Sequence, residues 1–244
     1  MGILEGKVAV ITGSSRGLGL SIAKAYAAEG ASIVIASRTP KAVSRAVEDL
    51  RNAGHRAEGL ACDASDMDQV EALANLAVDR FGKLDIWVAN AGILRELTPV
   101  SHSKMKDWHD TMTVNVMANV QMIRTLEPLL KTSDAGRAIF VGSYLGEHPT
   151  AYFGAYGVSK AAITHLALTW AAETKQSQLR INVVEPGAVD TDMLTTAFPG
   201  GYQGDDLHTP TQVAPLFLEL ALSSCARHGE IVRKERVFSK TENN

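Results

Sequence analysis

Tyr156 and Lys160 stand four residues apart in Tyr156-Gly157-Val158-Ser159-Lys160, and Ser143 lies thirteen residues upstream. On a helix this spacing puts phenol and ammonium on one face, about 6 Å apart along the axis. A free tyrosine titrates near pKa ~10, so proton exchange at neutral pH needs a shift of roughly 2 to 3 units. A cation within hydrogen-bond range lowers an acid's pKa by about 1 to 3 units, so Lys160 can supply much of it. A serine hydroxyl converging from another segment can orient a carbonyl or alcohol oxygen against the Tyr156 proton. The same spacing also occurs by chance on surface helices, so the support must come from the elements that would position these groups.

Those elements alternate from the start of the chain. Lys7 to Thr12 reads as a buried strand ending in the turn Thr12-Gly13-Ser14-Ser15-Arg16-Gly17-Leu18-Gly19, with a helix over Leu18 to Ala28. Glycines there permit a tight bend and close approach to a pyrophosphate, while the helix N-terminus offers unpaired N–H groups to the anion. Ser32 to Ser37 is a second strand, followed by a helix from Pro40 to about Ala53. An acidic residue about 20 positions beyond the glycines binds the ribose 2'-hydroxyl in NAD-binding folds. No Asp or Glu occurs from Gly30 through Val47; the strand instead ends at Ser37-Arg38, and Arg16 lies in the glycine turn. Two guanidiniums suit a 2'-phosphate, which favours NADP over NAD, unless both are plain solvated loop residues.

Arg56 to Ala61 is a third strand, closed by Cys62-Asp63-Ala64. Asp63 can cap the helix near Asp66, hydrogen-bond an adenine amine, or do both. Met67 to Phe81 is helical, and the fourth strand, Leu84 to Ala89, breaks at Asn90-Ala91-Gly92. Met105 to Lys131 reads as one long helix carrying Asn115, a residue of poor helix propensity that marks either a specific task or a buried tie to a strand. Arg137 to Val141 delivers Gly142-Ser143, the Tyr156 helix runs to about Gln176, and Leu179 to Val184 ends at Pro186-Gly187. Such alternation argues a single α/β domain over 1–244, a Rossmann-type doubly wound parallel sheet of about seven strands with helices on both faces. Ligands in such sheets bind beyond the strands' carboxyl ends, where the glycine turn, Arg38, Asp63 and Asn90 all fall. The stretch 188–208 lacks periodicity and is expected to be a substrate lid. A helix over Pro210 to Ser223 and an edge strand over Glu230 to Val237 follow, with Arg233-Lys234-Glu235-Arg236 as a solvated tail.

With 244 residues, 45% of them hydrophobic, and a mean hydropathy near zero, the chain can bury a large core. A net charge of -3 and a pI near 6.2 give no general attraction for nucleic acid or an anionic membrane, so the expected partner is a small molecule. Cys62 and Cys225 have no metal-site spacing, so no metal is expected, and they read as reduced thiols in a cytoplasmic protein. No apolar run reaches the about 18 residues of a membrane span.

The motif set resembles the classical short-chain dehydrogenase/reductase family over nearly the whole chain: TGSSRGLG at 12–19, NAG at 90–92, Asn115, Ser143, Tyr156-x-x-x-Lys160, and Pro186-Gly187 with Thr191. The resemblance implies NADP(H)-dependent interconversion of a secondary alcohol and a carbonyl, with Tyr156 as general acid/base and Ser143 holding the substrate oxygen. Lys160 would lower the Tyr156 pKa and bind the nicotinamide ribose, and Asn115 would hold a water linking Lys160 to solvent. Cofactor contacts would come from Gly13, Ser15, Arg16, Gly17, Leu18 and Gly19, from Ser37 and Arg38, and from Cys62, Asp63 and Ala64. Asn90, Ala91 and Gly92 would lie on the adenosine side, Pro186, Gly187, Val189 and Thr191 near the nicotinamide. Leu94, Arg95, Tyr144, Leu145, Glu147, His148, Tyr152 and Met193 are the expected substrate pocket. Two departures stand out: Ala89 replaces the first Asn of the usual Asn-Asn-Ala-Gly, and the usual C-terminal Asp-Gly-Gly is absent, with His228-Gly229-Glu230 in its region. The resemblance therefore does not carry over tetramer contacts through the last strand, while the helices at about 105–131 and 155–176 can still pair copies as a homodimer or homotetramer. A non-catalytic dinucleotide-binding regulator of the same fold is the alternative from another class; a sugar-nucleotide epimerase or dehydratase fits less well, being longer with a different glycine spacing.

Overall fold

Val, Ile and Ala dominate the short runs that alternate with amphipathic helices, and in the computed structural model, which describes residues 2–234, those runs form one sheet. Its strands are β1 (Val8–Thr12), β2 (Ser32–Ser37), β3 (Ala57–Ala61), β4 (Ile86–Ala89), β5 (Arg137–Val141), β6 (Arg180–Glu185) and β9 (Glu230–Arg233), in the order β3-β2-β1-β4-β5-β6-β9. All six pairings are parallel. The order reverses between β1 and β4, which opens a crevice beyond their carboxyl ends. A separate two-residue pair, β7 (Ala188–Val189) with β8 (Leu207–His208), lies in the expected lid stretch.

Strand alternation sorts the core into two layers. Ile11, Ile33, Ile35 and Val88 face α1 (Gly17–Ala28), α2 (Pro40–Asn52) and α8 (Pro210–Ala221), whereas Val10, Val34, Trp87 and Phe140 face α3 (Met67–Phe81), α5 (Ala118–Thr132) and α6 (Gly154–Glu173). In the second layer Trp87, Phe140 and Trp170 pack as three rings with centroids 5.1 to 6.2 Å apart. At the two borders, β3 carries Glu58, bonded to Arg51 and within 3.5 Å of Arg80, and β9 carries Glu230, paired with Arg227.

Two local readings need correction. The long helix at 105–131 is α4 (Met105–Met112) and α5 joined by a π-helical turn, Thr113–Met117, and Asn115 sits in that turn. Arg233 is no solvated tail residue, since it pairs with Glu185 and Glu147. The remainder of the expected last strand and tail, from Glu235 through Val237, lies outside the described residues. Among the described residues no helix is long and apolar enough to cross a membrane, and no group of His, Cys, Asp and Glu is arranged to hold a metal.

Candidate functional site

The crevice is built by Thr12 at the end of β1. Its hydroxyl donates to Val88 O and accepts from Asn90 and Ala91 N–H, so the first and fourth strands are tied at their carboxyl ends. Asn90 returns its side-chain amide to Thr12 O at 2.8 Å and Gly13 O at 3.1 Å, bracing the glycine turn from behind rather than reaching into the crevice. Close packing explains the glycines: a Cβ on Gly19 would sit 2.5 Å from Asn90 Nδ2, and Gly13 and Gly17 have φ of +65° and +57°. Helix α1 starts at Gly17 with no side-chain cap, leaving its first N–H groups available to an anion. The Ser37 hydroxyl is buried with no hydrogen-bond partner among the described residues, and exposed Arg38 beside it helps to hold Asp63 below the usual carboxylate range, after the Ser65 N–H bond as main cause. Asp63 forms a local turn with Ser65, and Asp66 caps α3. Cys62 is buried, its thiol pushed up to about 11, and its N–H donates to Ser37 O. These features fit a dinucleotide with a phosphate near Ser37 and Arg38.

Ser143, delivered by β5, opens a short 3-10 turn, Tyr144–Gly146, and its oxygen accepts the Leu145 N–H, leaving its own hydrogen for the Tyr156 phenol. Tyr156 and Lys160 share one face of α6, as their spacing requires. The expected acidification of Tyr156 by Lys160 is not found: burial pushes the phenol up to about 12, and the Ser143 hydrogen bond draws it only partly back. Lys160 turns its Nζ to Val141 O at 2.7 Å, 5.6 Å from the centre of the Tyr156 ring, and burial lowers its own pKa to about 8. Asn115 spends its side chain on protein: Oδ1 accepts Ile93 N–H at 2.8 Å, while Nδ2 donates to Ile93 O and Ser159 Oγ. The π turn brings this amide between the Asn90-Ala91-Gly92 loop and α6.

In front of Tyr156 lies a narrow cleft walled by Leu94, Leu97, Val100, Trp108 and Phe153, with Arg95, Tyr152 and the buried hydroxyl of Thr111. Arg95 pairs with Asp110 at 2.9 Å. Tyr144, Leu145, Glu147, His148 and Met193 lie outside these walls; His148 stacks on Tyr144 at 3.8 Å, and Glu147 bonds Arg233. Trp108, Thr111 and Phe153 escaped the sequence reading, whose available signal was the i, i+3 spacing of the first two on α4. The stretch after Pro186-Gly187 crosses back to the glycine turn: Thr191 starts α7 (Asp192–Ala197), its methyl would lie 3.4 Å from a Cβ on Gly17, and Asp192 bonds Arg16 at 2.5 Å. Phe198 then packs 6.2 Å from Phe153, next to Tyr156.

The family model of short chain dehydrogenases matches residues 7–200. The chain belongs to the short-chain dehydrogenase/reductase family. It is similar to an uncharacterised oxidoreductase of Mycobacterium tuberculosis, with 38% identity over 212 residues, 86% of this chain and 78% of that protein. A solved short chain dehydrogenase from Shigella flexneri, complexed with NADP, is similar to it with a TM-score of 0.89 at 30% identity, covering 95% of this chain and 98% of the other. A 7 alpha-hydroxysteroid dehydrogenase complexed with NADH and 7-oxo glycochenodeoxycholic acid gives 0.88 at 28% identity, covering 95% and 93%. This short-chain dehydrogenase/reductase therefore has one solved neighbour bound to NADP and another bound to NADH, which lacks the 2'-phosphate.

Proposed function

We propose that this oxidoreductase interconverts a secondary alcohol and a ketone or other carbonyl on a small molecule, using NADP(H) in preference to NAD(H). The observation that supports it most is the convergence of Ser143, Tyr156 and Lys160 at the carboxyl end of β5, beside a crevice suited to a dinucleotide. In this reading the α1 N-terminus and Gly13, Gly17 and Gly19 hold the pyrophosphate, Ser37 and Arg38 the 2'-phosphate, and Asp63 the adenine. Thr191 and Val189 face the nicotinamide end. NADPH, when bound, supplies the hydride.

The protein then manages one proton. Ser143 holds the carbonyl oxygen against the phenol, and Tyr156 donates its proton as negative charge builds on that oxygen; in the reverse direction it accepts it. Burial keeps the phenol protonated at neutral pH but also makes it a weaker acid, so its proton leaves only against the charge that builds on the substrate oxygen. The segment 188–208 acts as the lid, with Phe198 closing over the cleft. Exposed Met105, Met117 and Val158 on α4, the π turn and α6 suit pairing of copies through these helices. The two free thiols, Cys62 and Cys225, suit a cytoplasmic enzyme.

The test is a screen of ketones and secondary alcohols that follows absorbance of the reduced nicotinamide. Tyr156→Phe is expected to remove turnover by at least about a thousandfold with NADPH affinity nearly unchanged. Retained activity would take Tyr156 out of the mechanism, and NADPH binding without turnover of any substrate would favour a regulator.

A further inference from the structure

Arg233 ends the border strand β9, yet it reaches two loops that flank the reaction site. Its Nε donates to Glu185 Oε2 at 2.9 Å, and one terminal nitrogen donates to both oxygens of Glu147, at 2.8 and 2.7 Å. Glu185 closes β6 just before the Pro186-Gly187 turn; its side chain is 5% exposed, and its second oxygen has no hydrogen-bond partner among the described residues. Burial raises this carboxyl, and the groups facing it are Arg233, Glu147 and His148. Glu147 in turn closes the 3-10 turn that Ser143 opens. The last residue of that turn rests on α6, where a Cβ on Gly146 would come 2.9 Å from the Lys160 carbonyl carbon.

We propose that Arg233 is a positioning residue for the Ser143 hydroxyl: by fastening Glu147 to the buried Glu185 it fixes the far end of the turn whose first residue holds the substrate oxygen. The proposal rests on the functional reading that Ser143 and Tyr156 share that oxygen. Exposed ion pairs contribute little to stability, but this one is anchored on a desolvated carboxylate and grips Glu147 through both its oxygens. Geometry is where such a tie matters, since a displacement of about 1 Å at a reacting group can cost on the order of a hundredfold in rate.

Glu147→Ala cuts the tie to the loop while leaving Glu185 paired with Arg233. Amide hydrogen exchange across residues 143–153 is expected to speed up. With the ketone found in the screen, kcat should fall about tenfold while the NADPH dissociation constant stays within about twofold. Glu147→Gln, which keeps an acceptor oxygen, should recover most of kcat. In a Ser143→Ala background the Glu147→Ala change should cost nothing more, because its effect runs through the missing hydroxyl. Unaltered exchange in Glu147→Ala would overturn the proposal, as would a loss that simply multiplies with that of Ser143→Ala. Activity surviving in Tyr156→Phe would instead sink the functional reading, and the exchange measurement would still decide whether Arg233 holds the turn.

Discussion

Burial disfavours the charged forms of both Tyr156 and Lys160, raising one pKa to about 12 and lowering the other to about 8. For Lys160 the folded value lies below the unfolded 10.5, so between these two pH values the unfolded chain binds more protons and stability rises with pH. Below about pH 8 the folded protein carries the full penalty of a buried ammonium, about 3 kcal/mol, offset by about 1 kcal/mol from its bond to Val141 O. Lys160→Met should therefore stabilise the protein by about 2 kcal/mol at pH 7, in urea denaturation, while turnover is lost. The gain should shrink as pH rises above about 8 and be gone before pH 10.5, and a variant less stable than wild type at pH 7 would contradict the assignment. Arg38 offers a second test at this scale. It stands beside the unpartnered Ser37 hydroxyl, where a carboxylate would bind ribose hydroxyls and repel a phosphate. Arg38→Asp should lower kcat/KM with NADPH by about a hundredfold and shift preference toward NADH; a wild type already preferring NADH would refute the cofactor proposal.

At the scale of elements, the π turn at Thr113–Met117 shows where periodicity stops being informative. One extra residue per turn barely disturbs the apolar spacing, so the sequence reads as an unbroken helix; only the oddity of Asn115 signals a buried tie. Replacing it tests that tie. Asn115→Ala leaves the Ile93 N–H and C=O without their side-chain partner and should cost about 2 to 3 kcal/mol, read as a lower urea midpoint. The glycine turn, the alternation of strands and helices and the single parallel sheet were legible because each rests on local pattern and on one topological rule, whereas the order of the strands was not. Strand ends differ from the structure by a residue or two, as hydrogen bonding rather than composition sets them. Arg233 was not legible, because it sits in a charged run without periodicity while its partners lie 48 and 86 positions away. Nor were the Trp108 and Phe153 walls, since helical spacing tells which residues share a face but not what that face meets.

For the molecule as a whole, the proposed pairing of copies rests on exposed apolar side chains of the helical segments. Met117 is 55% exposed at the end of the π turn and Val158 48% exposed on α6. Met117→Glu should lower the sedimentation coefficient toward that of a monomer at micromolar concentration, and an unchanged value would place the contact elsewhere. The sheet itself discourages the other route to association. Its margins at β3 and β9 bear Glu58 bonded to Arg51 and Glu230 paired with Arg227, so an extended peptide from another chain meets a charged pair at whichever edge it approaches. Crowded, newly made chains are in this way steered away from fibrous stacking.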